Sequence, residues 1–292
     1  MHKYECCTAR VLSATIYGIM KYMTLISIDF HVDLEMAGDT PSVLMLEADK
    51  YAEQTVTDDA LFAPLGTELE LFRDLYGNPC RRGILPNGYV GLDYRAVVDT
   101  PDCSRVSVPD VGEEEEPARS SLPADVLHFL TASRYCPSDD IESVAADLFG
   151  AAVPTTGEKV LLIVEWIHDK VKYAYGTSDT ATTAVDTYLS RSGVCRDFAH
   201  LAIAFCRAQG IPARYVSGYC LGLETPDLHA YFQAFIGGQW YTFDATSAQS
   251  RPALARIGIG RDAADCAWST FFGSGQTTYM SVKVVDLANQ AP

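Results

Sequence analysis

The spacing of apolar and polar residues changes character about one third of the way along the chain. From Thr24 to about Thr100 the period is close to two, and segments such as Ile26–Val32 and Tyr89–Val98 predict strands. Turn clusters rich in glycine, proline and asparagine separate these segments, for example at Leu85-Pro86-Asn87-Gly88. Repeated short strands with such turns predict a β-sandwich or a small barrel.

After Pro123 the apolar residues follow a helical period instead. Helices are predicted at Ala124–Arg134, Ile141–Phe149, Glu158–Val171 and Cys195–Gln209, the last ending at Gly210. Strands are predicted after them at Ala213–Leu221, His229–Ile236 and Gln239–Thr246, with Tyr279–Leu287 as a closing strand of the same sheet. Helices followed by an antiparallel sheet predict an α+β fold for this half of the chain.

Four segments are predicted from these changes. Residues 1–22 are a leader or an over-extended start, with initiation at Met20 or Met23, because no small-residue cleavage site follows the apolar stretch. Residues 23–108 form the β-rich domain, and residues 109–123 form an acidic linker around Glu113–Glu116. Residues 124–292 form the α+β domain.

Charge and cysteine content narrow the possible partners. The chain has 22 Lys and Arg against 38 Asp and Glu, a formal net charge of −16, which argues against nucleic acid and against an anionic membrane surface. No apolar run reaches the ~18–20 residues that a membrane span needs.

The nine cysteines are odd in number and lack CxxC spacing, so a reduced, cytoplasmic compartment is predicted. The oligomeric state cannot be predicted.

Cys195 is the first candidate for chemistry, because it lies at the predicted start of a helix. Unpaired backbone N–H groups and the helix dipole favour a thiolate there. Gly193 would let the backbone approach a substrate closely. The alternative is an ordinary buried cysteine, as expected for Cys206 and Cys220.

A predicted hairpin supplies the second candidate pair. If Gly237-Gly238 forms a two-residue loop, Tyr231 opposes Asp244 and Trp240 opposes Phe235. His229 and Asp244 then become diagonal neighbours on one face, with Cβ atoms roughly 6–8 Å apart, within reach of an imidazole–carboxylate hydrogen bond. A register slip of one residue would instead leave both side chains at a strand end in solvent.

The joined motifs resemble the bacterial transglutaminase-like superfamily. The resemblance rests on residues 193–201 (GVCRDFAHL) and 210–219 (GIPARYVSGY), followed by His229-Ala230 and Phe243-Asp244-Ala245-Thr246, and extends over most of the chain beyond Met23. It implies a β-rich N-terminal domain and a papain-like core with the nucleophile at a helix N-terminus packed on an antiparallel sheet. It also implies that Cys195 is the nucleophile, His229 the general acid–base and Asp244 its orienting partner. The family often has proline where this chain has Ala245.

The function expected from this resemblance is thiol-dependent acyl transfer on a protein or peptide amide, by a cysteine peptidase or amidase. A protein-glutamine transglutaminase and a catalytically silent interaction domain are the alternatives.

Three further residues are weaker candidates for substrate binding: Trp240, Tyr231 and Arg196. The backbone N–H of Cys195 is expected to donate to the oxyanion of the reaction, and the second donor is unidentified. His200 is expected to be a core histidine. No cofactor or metal is expected, since His168-Asp169 lacks a metal partner at i+4.

Overall fold

The β-rich half of the protein contains two four-stranded sheets. The computed structural model describes residues 23–288 except 103–118, 152, 154, 224, 226 and 248–252. One sheet has the order β14-β1-β6-β3 and the other the order β13-β2-β5-β4. Their strands are β1 (Met23–Met36), β2 (Thr40–Leu44), β3 (Thr55–Phe62), β4 (Leu69–Arg73), β5 (Pro79–Leu85), β6 (Gly88–Pro101), β13 (Ser269–Phe271) and β14 (Gly275–Asp286).

Strand β1 shows why the sequence pattern predicts this half well. It pairs antiparallel with β6 from Met23↔Pro101 to Met36↔Gly88. Its alternate side chains are buried while the others face outward: the buried set is Ile26, Ile28, Phe30, Val32, Leu34 and Met36. An antiparallel sheet that is covered on one face produces this alternation.

The last strand does not lie where the sequence pattern places it. We expected residues 279–287 to close the sheet of the α+β half, but β14 pairs antiparallel with β1, for example through Phe30↔Val282. Strand β13 likewise pairs with β2. That prediction is wrong because an edge strand carries no local signal for its partner. The predicted 109–123 boundary lies largely outside the described residues, and the division into domains stays a prediction.

The other half contains helices packed on a four-stranded antiparallel sheet of order β11-β10-β9-β12, which confirms the predicted α+β class. A two-stranded parallel sheet joins β7 to β8. The elements are α1 (Ala124–Leu127), α2 (Glu142–Phe149), α3 (Thr156–Lys170), β7 (Lys172–Tyr173), α4 (Ala184–Ser190), β8 (Ser192–Gly193), α5 (Cys195–Ala208), β9 (Ala213–Cys220), β10 (His229–Ile236), β11 (Gln239–Phe243) and β12 (Leu254–Gly260). The helix predicted at 124–134 is shorter, since a 3₁₀ turn at His128–Leu130 follows α1.

All eight residues of β10 are buried, so this strand has no alternating exposure. Its even-numbered residues share the main apolar core with α5, as Phe232 does with Phe198. On the opposite face Tyr231 lies in a second cluster, against which Tyr76 of the β-rich half packs. The central sheet is therefore covered on both faces.

Side-chain amides from the β-rich half cover the edge strand β12. Gln54 donates to the Arg256 carbonyl at 3.0 Å and accepts from its N–H at 2.8 Å. Asn78 makes the same pair of bonds with Ile259, at 2.7 and 2.8 Å. Each amide replaces the two bonds of a neighbouring strand, which protects the edge and joins the two halves. No helix among the described residues is long and apolar enough to cross a membrane.

Candidate active site

Cys195 is the first residue of α5, as the sequence predicts. Its thiol is partly exposed, whereas the rest of the helix is largely buried. Backbone N–H groups of the first helical turn and the positive end of the helix dipole face this position. The other described cysteines (Cys80, Cys136, Cys206, Cys220 and Cys266) are buried.

Asp197 anchors the start of α5 and explains Gly193. Its fully buried carboxylate accepts a 2.8 Å hydrogen bond from the Val194 N–H and one of 3.3 Å from Arg196. A Cβ on Gly193 would lie 2.6 Å from the Asp197 Cβ. The expectation that Gly193 makes room for a substrate is therefore wrong, because the Asp197 side chain occupies that space.

His229 and Asp244 meet as the hairpin register requires. The observed pairs Phe235↔Trp240 and Phe232↔Phe243 confirm the predicted two-residue loop. His229 Nε2 lies 2.7 Å from Asp244 Oδ2, and the two side chains are only 3% and 2% exposed. The second carboxylate oxygen accepts from the Thr246 N–H at 2.9 Å and its hydroxyl at 2.7 Å. Asp244 is thus held in one orientation.

His229 and Asp244 influence each other's protonation. Burial by itself disfavours the charged imidazole, but Asp244 and the adjacent Cys195 thiol raise the pKa of His229 to about 9. Burial also opposes ionisation of Asp244, yet His229 and Thr246 hold the pKa of this carboxyl well below its usual range. At neutral pH the histidine is therefore an imidazolium beside an ionised aspartate. Because Nε2 of His229 is bonded to Asp244, the other ring nitrogen, Nδ1, is the one available to Cys195.

A cavity of about 580 Å³ opens at Cys195 between the two halves of the protein. Met45 and Trp268 line it from the β-rich side, next to strands β2 and β13. From the other half its lining includes Cys195, Arg196, His229, Tyr175, Ser217 and Asp227. The β-rich half therefore forms one wall of the candidate site.

The three weaker candidates lie in different places. Arg196 lines the cavity, and its guanidinium is hydrogen-bonded to Asp197. Tyr231 is buried beneath His229, with ring centroids 6.2 Å apart. Trp240 packs at 5.3 Å against Phe129 and at 4.0 Å under the Arg214 guanidinium. The structure thus brings Arg196 to the cavity, but neither Tyr231 nor Trp240 is among its lining residues.

His200 is the core residue that the sequence predicts. It is fully buried between the rings of Tyr135 and Tyr215, with centroids at 5.1 and 5.2 Å, and accepts a 3.1 Å bond from the Ala263 N–H. Burial lowers its pKa well below the ordinary value, so the ring is neutral. Its contacts explain why a histidine within the GVCRDFAHL segment is structural.

Tyr173 and Tyr175 were not predicted as site residues, although both lie beside Cys195. Tyr175 lines the cavity, and Tyr173 pairs with Gly193 across the parallel β7–β8 ladder. A Tyr-x-Tyr pattern was the available signal, but parallel pairing over a separation of 20 residues has no local signature. Among the described residues no cluster of three or more His, Cys, Asp or Glu side chains is arranged to hold a metal ion.

Comparison with known proteins identifies the family. The family model of the transglutaminase-like superfamily matches residues 142–245, which include Cys195, His229 and Asp244. A crystal structure from Cytophaga hutchinsonii, of a protein that bears the name "Putative Cysteine Protease", superposes with a TM-score of 0.83 and 36% sequence identity, covering 91% of each chain. The chain belongs to the transglutaminase-like superfamily.

Mycobacterial relatives match over a shorter stretch. An uncharacterized protein of Mycobacterium leprae is 35% identical over 117 residues, which are 37% of this chain and 42% of that protein. An uncharacterized protein of Mycobacterium tuberculosis is 35% identical over 115 residues, 34% of this chain and 36% of that protein. The match thus spans about two fifths of the length of these curated relatives.

Proposed function

We propose that this protein is a thiol-dependent acyl-transfer enzyme that cleaves amide bonds in proteins or peptides, as a cysteine peptidase or amidase. One observation carries the proposal: Cys195, at the start of α5, lines the same cavity as an imidazole whose Nε2 is bonded at 2.7 Å to a buried carboxylate. Nucleophile, general acid–base and orienting group are the parts that nucleophilic catalysis requires.

The proposed reaction has two stages. The Cys195 thiolate attacks the amide carbonyl, and a C–S bond forms while the carbonyl oxygen becomes an oxyanion. His229, protonated at neutral pH, gives its proton to the leaving amine as the C–N bond breaks. Water then attacks the thioester, His229 accepts a proton from it, and the carboxylic acid leaves as the Cys195 thiolate is restored.

Asp244 holds the imidazole of His229 in one orientation during both stages. Its carboxylate orients the imidazole and stabilises the imidazolium that the first stage consumes. The bonds from Thr246 fix the carboxylate in turn. The cytoplasmic location and the absence of a nucleic-acid or membrane partner stay predictions.

Parallel assays of hydrolysis and amine transfer test the proposal. The purified chain is incubated with fluorogenic peptide amides and, separately, with a glutamine-containing protein and a fluorescent primary amine. Amide hydrolysis that Cys195→Ala abolishes would support the proposal. The matched control Cys220→Ala removes a buried thiol from the second apolar cluster and should retain activity.

Each other outcome points to a different function. Amine incorporation without hydrolysis would replace the proposal with a transglutaminase. Absence of both reactions, together with a Cys195 thiol that resists iodoacetamide at neutral pH, would leave the silent interaction domain.

A further inference from the structure

The cavity at Cys195 contains a carboxylate that the proposed reaction does not use. Asp227 lines this cavity together with Cys195 and His229. It lies two residues before His229, so the Cα atoms of these two residues are at most about 7 Å apart. In the proposed reaction His229 gives its proton to the leaving amine. Asp227 therefore lies close to the part of the substrate that leaves.

Asp227 has no counter-charge among the residues that the structure describes. Its Oδ1 accepts a 2.7 Å hydrogen bond from the backbone N–H of the next residue, and its carboxylate forms no ion pair with a described lysine or arginine. The other charged side chains of the lining already have partners: Arg196 lies 3.3 Å from Asp197, and His229 lies 2.7 Å from Asp244. The cavity thus holds one unpaired negative charge.

The surroundings of Asp227 favour a bound cation. The residue reaches solvent, yet burial by the atoms around it raises the pKa of its carboxyl, and the Leu228 N–H and the charge of His229 oppose this only in part. A cation that enters the cavity would supply the counter-charge that this carboxylate lacks. Their attraction is stronger there than at an open surface, because less water screens it.

The rest of the cavity suits a cation with an apolar stem. Trp268, Met45 and Leu228 contribute apolar surface, and Tyr175 contributes an aromatic ring. Lysine and arginine pack their aliphatic stems on such surface while the charged end reaches a polar group. The net charge of −16 also attracts positively charged peptides to the protein as a whole.

We propose that Asp227 binds a lysine or arginine side chain of the substrate, on the part that leaves with the amine; this assignment rests on the function proposed above. The carboxylate accepts hydrogen bonds from the ammonium or guanidinium group while His229 gives its proton to the leaving nitrogen. No covalent bond of Asp227 forms or breaks, so its role is to determine specificity. The preferred substrates are then basic peptides or proteins.

A pool of randomised short peptides tests this assignment. Both termini are blocked, so that only side chains carry charge, and mass spectrometry of the products identifies the residues on either side of each cleaved bond. We expect the wild-type protein to prefer bonds followed within two residues by lysine or arginine, about 10- to 100-fold over bonds followed by neutral residues. Asp227→Asn should lose this preference, and Asp227→Glu should retain it. Acetylation of the lysines in the pool should remove the preference for lysine and leave that for arginine.

The matched control is Asp147→Asn, which removes the same charge from an exposed aspartate of α2 that does not line the cavity. This variant should keep the preference. Three results would overturn the assignment and leave the proposed function in place: no preference in the wild type, an unchanged preference in Asp227→Asn, or basic residues enriched before the cleaved bond instead of after it. An equal loss of cleavage at all bonds in Asp227→Asn would overturn it as well, because the residue would then act on the reaction in general.

A measurement without turnover separates this assignment from the proposed function. Nα-acetyl-lysine amide should protect the Cys195 thiol from iodoacetamide at a concentration about 10-fold lower than its Nε-acetylated analogue does. Asp227→Asn should abolish this difference, and alkylation is followed by mass spectrometry of the peptide that contains Cys195. If this difference is found but no peptide of the pool is cleaved, the proposed hydrolysis fails and the cation site at Asp227 remains. If the two compounds protect the wild-type thiol equally, the assignment is overturned whether or not peptides are cleaved.

Discussion

In each half of this protein a histidine on a sheet lies against a carboxylate. On the β-rich sheet His31 lies between two carboxylates, with Nδ1 3.0 Å from Asp93 Oδ1 and Nε2 2.9 Å from Asp33 Oδ1. The His31 and Asp93 side chains are 34% and 44% exposed. In the other half His229 Nε2 lies 2.7 Å from Asp244 Oδ2, with 3% and 2% exposed. The contacts of His31 with Asp93 and of His229 with Asp244 are similar in length. The first is exposed and His31 shares it with Asp33, whereas the second is buried.

Burial changes what the same contact can do. Water and salt screen charges at the surface, and an exposed ion pair contributes about 0–1 kcal/mol. In the buried sheet the interaction is stronger, and Asp244 with Cys195 raises the pKa of His229 to about 9 despite the burial of the imidazole. The candidate site is therefore defined by burial and by an adjacent thiol, rather than by a histidine that meets an aspartate.

Replacing each histidine by glutamine should give the largest difference between the two halves, measured as kcat/KM. His229→Gln is expected to lower kcat/KM for amide hydrolysis about 10³- to 10⁴-fold, because the leaving amine loses its proton donor. His31→Gln should have no effect on kcat/KM. Steady-state kinetics on one fluorogenic peptide amide compare the two variants, and a matching loss in both would contradict the proposed difference.

Replacing the aspartate of each pair by asparagine should change the free energy of unfolding by different amounts. Asp244→Asn leaves a buried imidazolium without its counter-charge and is expected to cost about 3–5 kcal/mol in the free energy of unfolding at pH 7. Asp93→Asn should cost about 0–1 kcal/mol. Urea unfolding of both variants provides the measurement, and equal costs would show that burial does not distinguish the pairs.

The pH dependence should differ between wild type and His229→Gln. The pKa of His229 is raised to about 9 in the folded chain, against about 6.5 for a free histidine. Its stabilisation is fully present below about pH 6.5 and is lost as the pH rises through about 9, a change of about 3 kcal/mol. Amide hydrolysis should decline as the pH rises through about 9, because neutral His229 cannot protonate the amine.

Unfolding measured at several pH values between 6 and 10 tests this expectation. The variant, which lacks the titrating group, should show no such decline between these limits. A wild-type curve parallel to that of the variant would be evidence against the raised pKa.

Adding one methyl group to a glycine in each half should give the smallest contrast. In Gly193→Ala the new Cβ would lie 2.6 Å from the Asp197 Cβ, so we expect a loss of about 1–3 kcal/mol in stability. In Gly91→Ala on β6 no atom lies closer than 3.6 Å to the new Cβ, and stability should be unchanged. Thermal unfolding compares the two, and an unaffected Gly193→Ala would show that the start of α5 can shift.

Short-range patterns explain what could be predicted. The alternation along β1 is visible because one face of its sheet is buried. The turn Gly237-Gly238 sets the register that brings His229 to Asp244, since a two-residue loop leaves few pairings. The partner of β14 and the requirement for Gly193 were beyond prediction, because each depends on a contact outside its own local pattern.

By itself, the sequence determined the α+β class, the helix that begins at Cys195 and the hairpin that pairs His229 with Asp244, since periodicity and turn chemistry act over a few residues. Only the tertiary structure decided that Met45 and Trp268 form a wall of the cavity and that Trp240 lies elsewhere. Those arrangements come from packing between segments that are distant along the chain. Such packing also buries His229 and Asp244 together, and each keeps the other charged despite the burial.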